Sequence, residues 1–270
     1  MGGIMIILFG VAGLSFGWFV YSKFIAEKIY RLDPDFVTPA HELNDGIDYV
    51  PTNKYVLWGH HFTSVAGAAP IVGPAIAVYW GWVPALLWVT FGTIFFAGIH
   101  DMGALWASTR NKGKSIGALS ENVIGKRTRS LFLIVIFLLL LMVNAVFAVV
   151  ISNGFVGTPG SVFPAWSAIV VALIIGQLLR RNYSLLLLTA AGVVILYISI
   201  WAGTFIELQL PETMFGLNAN ANWIIILFIY AAIASMLPVW MLLQPRDFIN
   251  GMQLIVGLIL LYGAVFLSMP

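Results

Sequence analysis

The sequence has no cysteine and very little charge: only 9% of its 270 residues are Asp, Glu, Lys or Arg. Without cysteine there is neither a disulfide framework nor thiolate redox or metal chemistry. Soluble domains carry about 25% charged residues, so this chain cannot clothe a water-facing surface. Histidine is scarce too. His41, His60, His61 and His100 never recur at helical i, i+3 or i+4 spacing, which argues against the paired-iron histidine clusters of membrane oxygenases. A phosphate-cradling glycine loop and a nucleophile elbow are also missing, as is any basic face for nucleic acid. The expectation is therefore no enzyme, no catalytic residue, no metal site and no organic cofactor.

What is present is apolar: 61% of the residues are hydrophobic. A membrane-crossing helix needs about 20 such residues at 1.5 Å rise each. Eight runs qualify, at 4–21, 55–79, 84–106, 130–152, 165–179, 185–205, 223–243 and 248–269. They are continuous rather than alternating, which favours helices over a barrel. The first run lacks a basic leader and a small-residue cleavage site, and Lys23, Lys28 and Arg31 follow it, as for a retained span. The expected fold is an all-α polytopic membrane protein with one transmembrane domain over 1–270. Residues 1–30 form an extra first helix and 55–270 the core.

Basic residues in short loops collect on the cytoplasmic side. All 13 fall in the odd-numbered connections, from Lys23 to Lys54, Arg110 to Arg129, Arg180–Arg181 and at Arg246. The even connections hold none, and Glu207 and Glu212 are their only charges. The expected orientation places the N-terminus outside a cytoplasmic membrane, with lipid as the main surrounding partner.

Two runs contain helix breakers. Ala66-Gly67-Ala68-Ala69-Pro70-Ile71-Val72-Gly73-Pro74 holds two glycines and two prolines, and Ala234-Ser235-Met236-Leu237-Pro238-Val239-Trp240 is a milder case. Each proline removes a backbone donor and crowds the preceding turn. Freed backbone groups in hydrocarbon cost several kcal/mol each unless they face protein or a wet cavity, so broken helices usually line a binding site. The breaks lie five runs apart in helices of opposite direction. That is the signature of a five-plus-five inverted repeat of the LeuT-like kind with two interrupted helices. A ten-helix plan would continue beyond Pro270, which implies that the remainder of a longer chain, or a homo-oligomer, completes it.

Residues near the breaks are the candidate substrate or ion ligands: Thr63, Ser64, Gly67, Ala68, Pro70, Gly73 and Pro74 in the first, Ser235, Pro238 and Trp240 in the second. Thr63 and Ser64 offer hydroxyl oxygens to a cation, and Trp240 could wall a pocket. Asn144 is either helix–helix glue or a cavity contact. His60 and His61 either relay protons, since histidine titrates near neutrality, or cap a helix end. His100 and Asp101 form either a functional intramembrane pair or a structural pair with each other or with Arg110. Arg246 and Asp247, in a tight cytoplasmic turn, read as a clamp or gate more than as a ligand contact.

Several of these segments also resemble a known family. Thr38-Pro39-Ala40, Asp45-Gly46-Ile47-Asp48-Tyr49-Val50-Pro51-Thr52, Gly59-His60-His61-Phe62 and the first break look like the amino-terminal signature of the carbon starvation protein A family. So do His100-Asp101 with Ser108-Thr109-Arg110, and Leu237-Pro238-Val239-Trp240 with Pro245-Arg246-Asp247. The resemblance implies secondary active uptake of peptides or pyruvate-like carboxylates in a bacterium or archaeon, driven by an H⁺ or Na⁺ gradient. Under it, Gly67, Pro70, Gly73 and Pro74 would shape one broken helix and Pro238 the other, with His60 and His61 coupling protons or gating. Members of that family continue well past this length. A nutrient-binding membrane sensor and a channel are the rival readings.

Overall fold

The computed structural model describes residues 3–181 and 183–268; the side chains of Ala68, Ala69, Ile71, Asn122 and Val123 lie outside the described ones. In chain order the helices are α1 (Gly3–Ile29), α2 (Lys54–Val65), α3 (Ala68–Trp80), α4 (Trp82–Arg110), α5 (Ile116–Ile124), α6 (Lys126–Gly157), α7 (Pro159–Arg180), α8 (Leu185–Gly203), α9 (Ala219–Ser235) and α10 (Leu243–Ser268). A two-residue hairpin, Thr213–Met214 against Leu217–Asn218, precedes α9. Six of these helices, α1, α4, α6, α7, α8 and α10, are long and apolar enough to cross a membrane. Their large apolar side chains face outward: Leu138 through Met142 on α6 are all more than half exposed. Hydrocarbon accepts such a surface and water does not. The chain is an α-helical, multi-pass membrane protein.

The described residues form two compact units. In the first, α1 lies along α4. Gly13 and Gly17, spaced as in small-xxx-small helix pairs, meet Thr90 and Ile94 of α4, and a Cβ on Gly17 would come within 2.8 Å of Ile94. Tyr30, just beyond α1, stacks on Trp106 at 5.1 Å, and the Trp106 indole donates to the Tyr30 carbonyl at 3.1 Å. α5, capped by the Ser115 hydroxyl, belongs to the same unit.

The second unit contains 46–68 and 138–257. Its centre is a cluster of Val56, Val171, Ile175, Leu188, Leu196, Phe248 and Ile249, contributed by α2, α7, α8 and α10. Glycines permit the packing: a Cβ on Gly192 would lie 2.8 Å from Ile175, and one on Gly160 2.5 Å from the Gly203 carbonyl. Asn222, in the first turns of α9, donates to the carbonyls of Met214, Leu217 and Asn218 and so ties down the hairpin.

Helical structure lapses at both expected places, but not in the way the sequence suggested. The first is narrower: helical structure lapses only at Ala66 and Gly67, while Gly73 and Pro74 lie inside α3. Pro70 sits in the first turn of α3, where a missing N–H costs nothing. The second is wider, since seven residues, 236–242, separate α9 from α10. It also joins two helices rather than interrupting one. A straight helix would set residues 230 and 246 about 24 Å apart, yet the Arg246 guanidinium donates to the Tyr230 hydroxyl at 2.8 Å. The chain doubles back around Pro238. Gln244-Pro245-Arg246-Asp247, expected in a tight turn between two helices, instead forms part of the first turn of α10, with Pro245 among the most enclosed residues.

The contact between α2 and α10 depends on Gly251, where a Cβ would lie 2.7 Å from the Thr63 hydroxyl and 3.4 Å from the Gly59 carbonyl. Gly251→Val should force the helices apart and cost about 1–3 kcal/mol, seen as a lowered unfolding temperature in detergent. Gly257→Ala, a site with nothing within 4 Å of the added carbon, should leave that temperature unchanged or raise it.

Candidate functional site

Close approach of α2 to α10 follows from their smallest residues. Gly59 accommodates the ring of Phe248, and Gly251 accommodates Thr63. The Thr63 hydroxyl then donates to the backbone carbonyl of Asp247 at 2.6 Å. With the backbones this near, His60, one turn before Thr63, faces the Asp247 side chain.

Asp247 is the centre of an ionic cluster. Its Oδ2 lies 2.9 Å from His60 Nδ1, and its Oδ1 accepts from Arg246 Nε at 3.2 Å and Nη2 at 3.1 Å. Arg246 Nη1 donates onward to Tyr230. The Asp247 side chain is only 9% exposed, so its partners are needed: removing one from a buried pair leaves an uncompensated charge worth several kcal/mol. With Asp247 ionised, Nδ1 of a neutral His60 carries the hydrogen of this bond. The second unit thus holds a chain of polar groups running His60–Asp247–Arg246–Tyr230, of zero net charge when His60 is neutral.

Arg246 and Tyr230 also line a cavity of about 510 Å³, within the roughly 300–1,000 Å³ range of small-molecule sites. Its walls are mainly apolar, among them Phe155, Pro164, Trp166 and Leu196. Its polar lining residues are Ser161, Tyr230, Arg246, Asn250 and Gln253. Residues 246, 250 and 253 follow the i, i+4, i+7 rule for one helix face, so α10 presents a polar stripe in an otherwise apolar setting.

The candidates read from the sequence divide. His60, Thr63, Arg246 and Asp247 come together. His61, next in the chain, is exposed, so the histidine pair is split. Ser64 bonds the His60 carbonyl at 2.8 Å, Ser235 bonds Ala232, and Asn144 bonds Leu140 at 2.9 Å, each within its own helix. Asn144 is exposed and does not line the cavity. Gly67 meets Phe147 at the first break, and the side chain of Ala68 lies outside the described ones. Trp240 and Pro238 belong to the turn before α10. Trp240 lies 3.9 Å beneath the Arg180 guanidinium and lines a different cavity, of about 540 Å³, with Asn53 and Gln244. Pro70, Gly73, Pro74, His100 and Asp101 belong to the first unit. There His100 and Asp101 pair with each other at 3.2 Å, and Arg110 covers the Trp106 ring instead. Tyr230, Asn250 and Gln253 were not singled out from the sequence. The polar spacing along 246–253 was the signal that could have found two of them.

With this geometry in hand, the likeness to known proteins can be stated. The chain matches the family model described as carbon starvation protein CstA over residues 2–270. It is 34% identical to the peptide transporter CstA of Campylobacter jejuni, covering 100% of this chain and 39% of that protein. It is 36% identical to the pyruvate/proton symporter BtsT of Escherichia coli over 92% of this chain and 35% of that protein. With the peptide transporter CstA of Bacillus subtilis it shares 30% identity over 100% of this chain and 45% of that protein. The chain therefore spans less than half the length of these relatives. No solved structure matches. These relatives are transporters by name, and the chain belongs to the carbon starvation protein CstA family.

Proposed function

We propose that this chain forms part of a secondary active transporter that imports peptides or pyruvate-like small carboxylates across the cytoplasmic membrane of a bacterium or archaeon. The observation that carries this reading is a part-buried, charge-balanced network around Asp247, one member of which, Arg246, lines a small-molecule-sized cavity. The names of the relatives supply the substrate classes and, for one of them, the proton. A gradient of H⁺ or Na⁺ drives the uptake, with no organic cofactor. His60 is the coupling group, Arg246 and Asp247 gate or anchor, and Thr63 holds the two helices in register. Lipid surrounds the chain, and a homo-oligomer or further chain completes the assembly.

The proposed architecture has eight crossings, an external N-terminus and a five-plus-five inverted repeat. The opened backbone at Ala66–Gly67 supports its first interrupted helix. Absence of cysteine makes the orientation simple to test. A cysteine at Glu212 should react with an impermeant maleimide in intact cells, and one at Lys114 only after permeabilisation. The reverse pattern would overturn the orientation.

Uptake into proteoliposomes separates the rival readings. Labelled pyruvate or dipeptide should accumulate above its external concentration when a proton or sodium gradient is imposed. A sensor would bind without accumulation, and a channel would equilibrate without concentrating. For the coupling role, His60→Ala combined with His61→Ala should abolish gradient-driven uptake while sparing exchange; the His60–Asp247 bond supports His60 as the residue responsible. Unchanged pH dependence would return both residues to a structural role.

A further inference from the structure

We infer that the Arg246 cavity binds a single carboxylate on the guanidinium, and that each carboxylate bound brings one proton onto His60. This rests on the transporter reading above and gives it a substrate contact and a coupling rule.

The contact follows from counting donors. A guanidinium has five N–H groups. Among the described residues three are engaged, Nε and one on Nη2 with Asp247 and one on Nη1 with Tyr230. One N–H therefore remains on each terminal nitrogen of a residue that lines the cavity. Two such donors suit the two oxygens of a carboxylate. Beside them, the side-chain amides of Asn250 and Gln253 make no hydrogen bond to other described side chains and line the same cavity. They suit a second polar group close to the carboxylate, such as a 2-oxo group or a peptide amide. Phe155, Trp166 and Leu196 offer apolar surface to the remainder.

The rule follows from charge. With His60 neutral, Asp247 and Arg246 cancel. A carboxylate adds one negative charge to a group largely removed from water, and an uncompensated charge there is costly. The nearest site for a compensating proton is His60, hydrogen-bonded to Asp247 at 2.9 Å. The ionisable groups facing it are Asp247 from α10, Arg246 beyond that carboxylate and Tyr230 behind the guanidinium; His61 on its own helix is exposed. A protonated His60 pairs fully with Asp247 as the substrate takes a share of Arg246, and neutrality returns. By linkage the proton raises carboxylate affinity by the factor the carboxylate raises proton affinity. A dianion such as sulfate would leave one charge unmatched, so the site selects monoanions.

Calorimetry on the purified protein, run in two buffers of different ionisation enthalpy, counts the protons taken up. Pyruvate and N-acetylalanine, both monoanions, should bind with uptake of one proton each, while pyruvamide, which lacks the carboxylate, and sulfate, a dianion, should not bind. Arg246→Gln should weaken pyruvate about tenfold or more. Asn250→Leu, which leaves the ionic cluster intact, should weaken it too. In His60→Gln the protons taken up per pyruvate should fall to zero. Pyruvate binding unaffected by both Arg246→Gln and Asn250→Leu would overturn the site. Binding to the unaltered protein without proton uptake would overturn the coupling rule. In either case, gradient-driven accumulation in proteoliposomes would show that the transporter reading itself survives; loss of both binding and accumulation would sink that reading as well.

Discussion

One buried carboxylate organises the second unit of this protein. Asp247 needs two compensating partners in a setting where water supplies little. The chain provides them from opposite directions, Arg246 from its own helical turn and His60 from α2. Satisfying that carboxylate requires α2 and α10 to approach within a glycine's width. Gly59, Gly251 and the Thr63 hydroxyl bond to the Asp247 carbonyl are consequences of this requirement. Arg246 then extends the cluster to Tyr230, which holds α9 against the start of α10. A chain with only 9% charged residues thus spends three of its ionisable groups at one place.

The lapse in helical structure at Ala66–Gly67 belongs to the same economy. Backbone groups released in hydrocarbon must find partners. Here the Ala66 N–H still reaches the Phe62 carbonyl at 2.9 Å, and the Gly67 N–H turns to Val65 at 2.8 Å. The break is therefore closed locally by a tight turn, which explains why two residues suffice despite two downstream prolines. Pro70 falls in the first turn of α3, where a missing N–H is tolerated, whereas Pro74 lies inside the helix and deprives the Pro70 carbonyl of its helical donor.

Much of the fold was legible because the bilayer makes strong demands. Six of the long apolar runs are helical throughout or nearly so, and α1, α4, α6, α7, α8 and α10 match their expected runs to within a few residues at most ends. The breaks were located but not sized, because proline's effect depends on its position in a helix rather than on its presence. Pro238 illustrates this. Its segment read as one interrupted helix, yet only the Arg246–Tyr230 contact shows that the chain reverses there. The site was half legible. Adjacent histidines stood out together, but a helix turns 100° per residue, so His60 and His61 face apart and only contacts reveal which one points inward. Tyr230 stood among many aromatic residues and gave no signal.

Arg246 joins the structural and functional readings, which the sequence treated as alternatives. A clamp needs its donors filled, and a ligand anchor needs donors left over. Lysine, with three donors on one atom, could hardly do both without letting go of Asp247. The planar fork of arginine divides the work by edge, since Nε and Nη2 secure the neighbouring carboxylate while the remaining N–H groups reach the cavity. The distinction between gate and binding residue therefore dissolves at this position. Any group that draws on the free N–H groups alters how firmly Asp247 is held, and Asp247 passes that change to His60 across 2.9 Å. Under the proposed transporter reading, substrate and proton would be linked by one shared carboxylate.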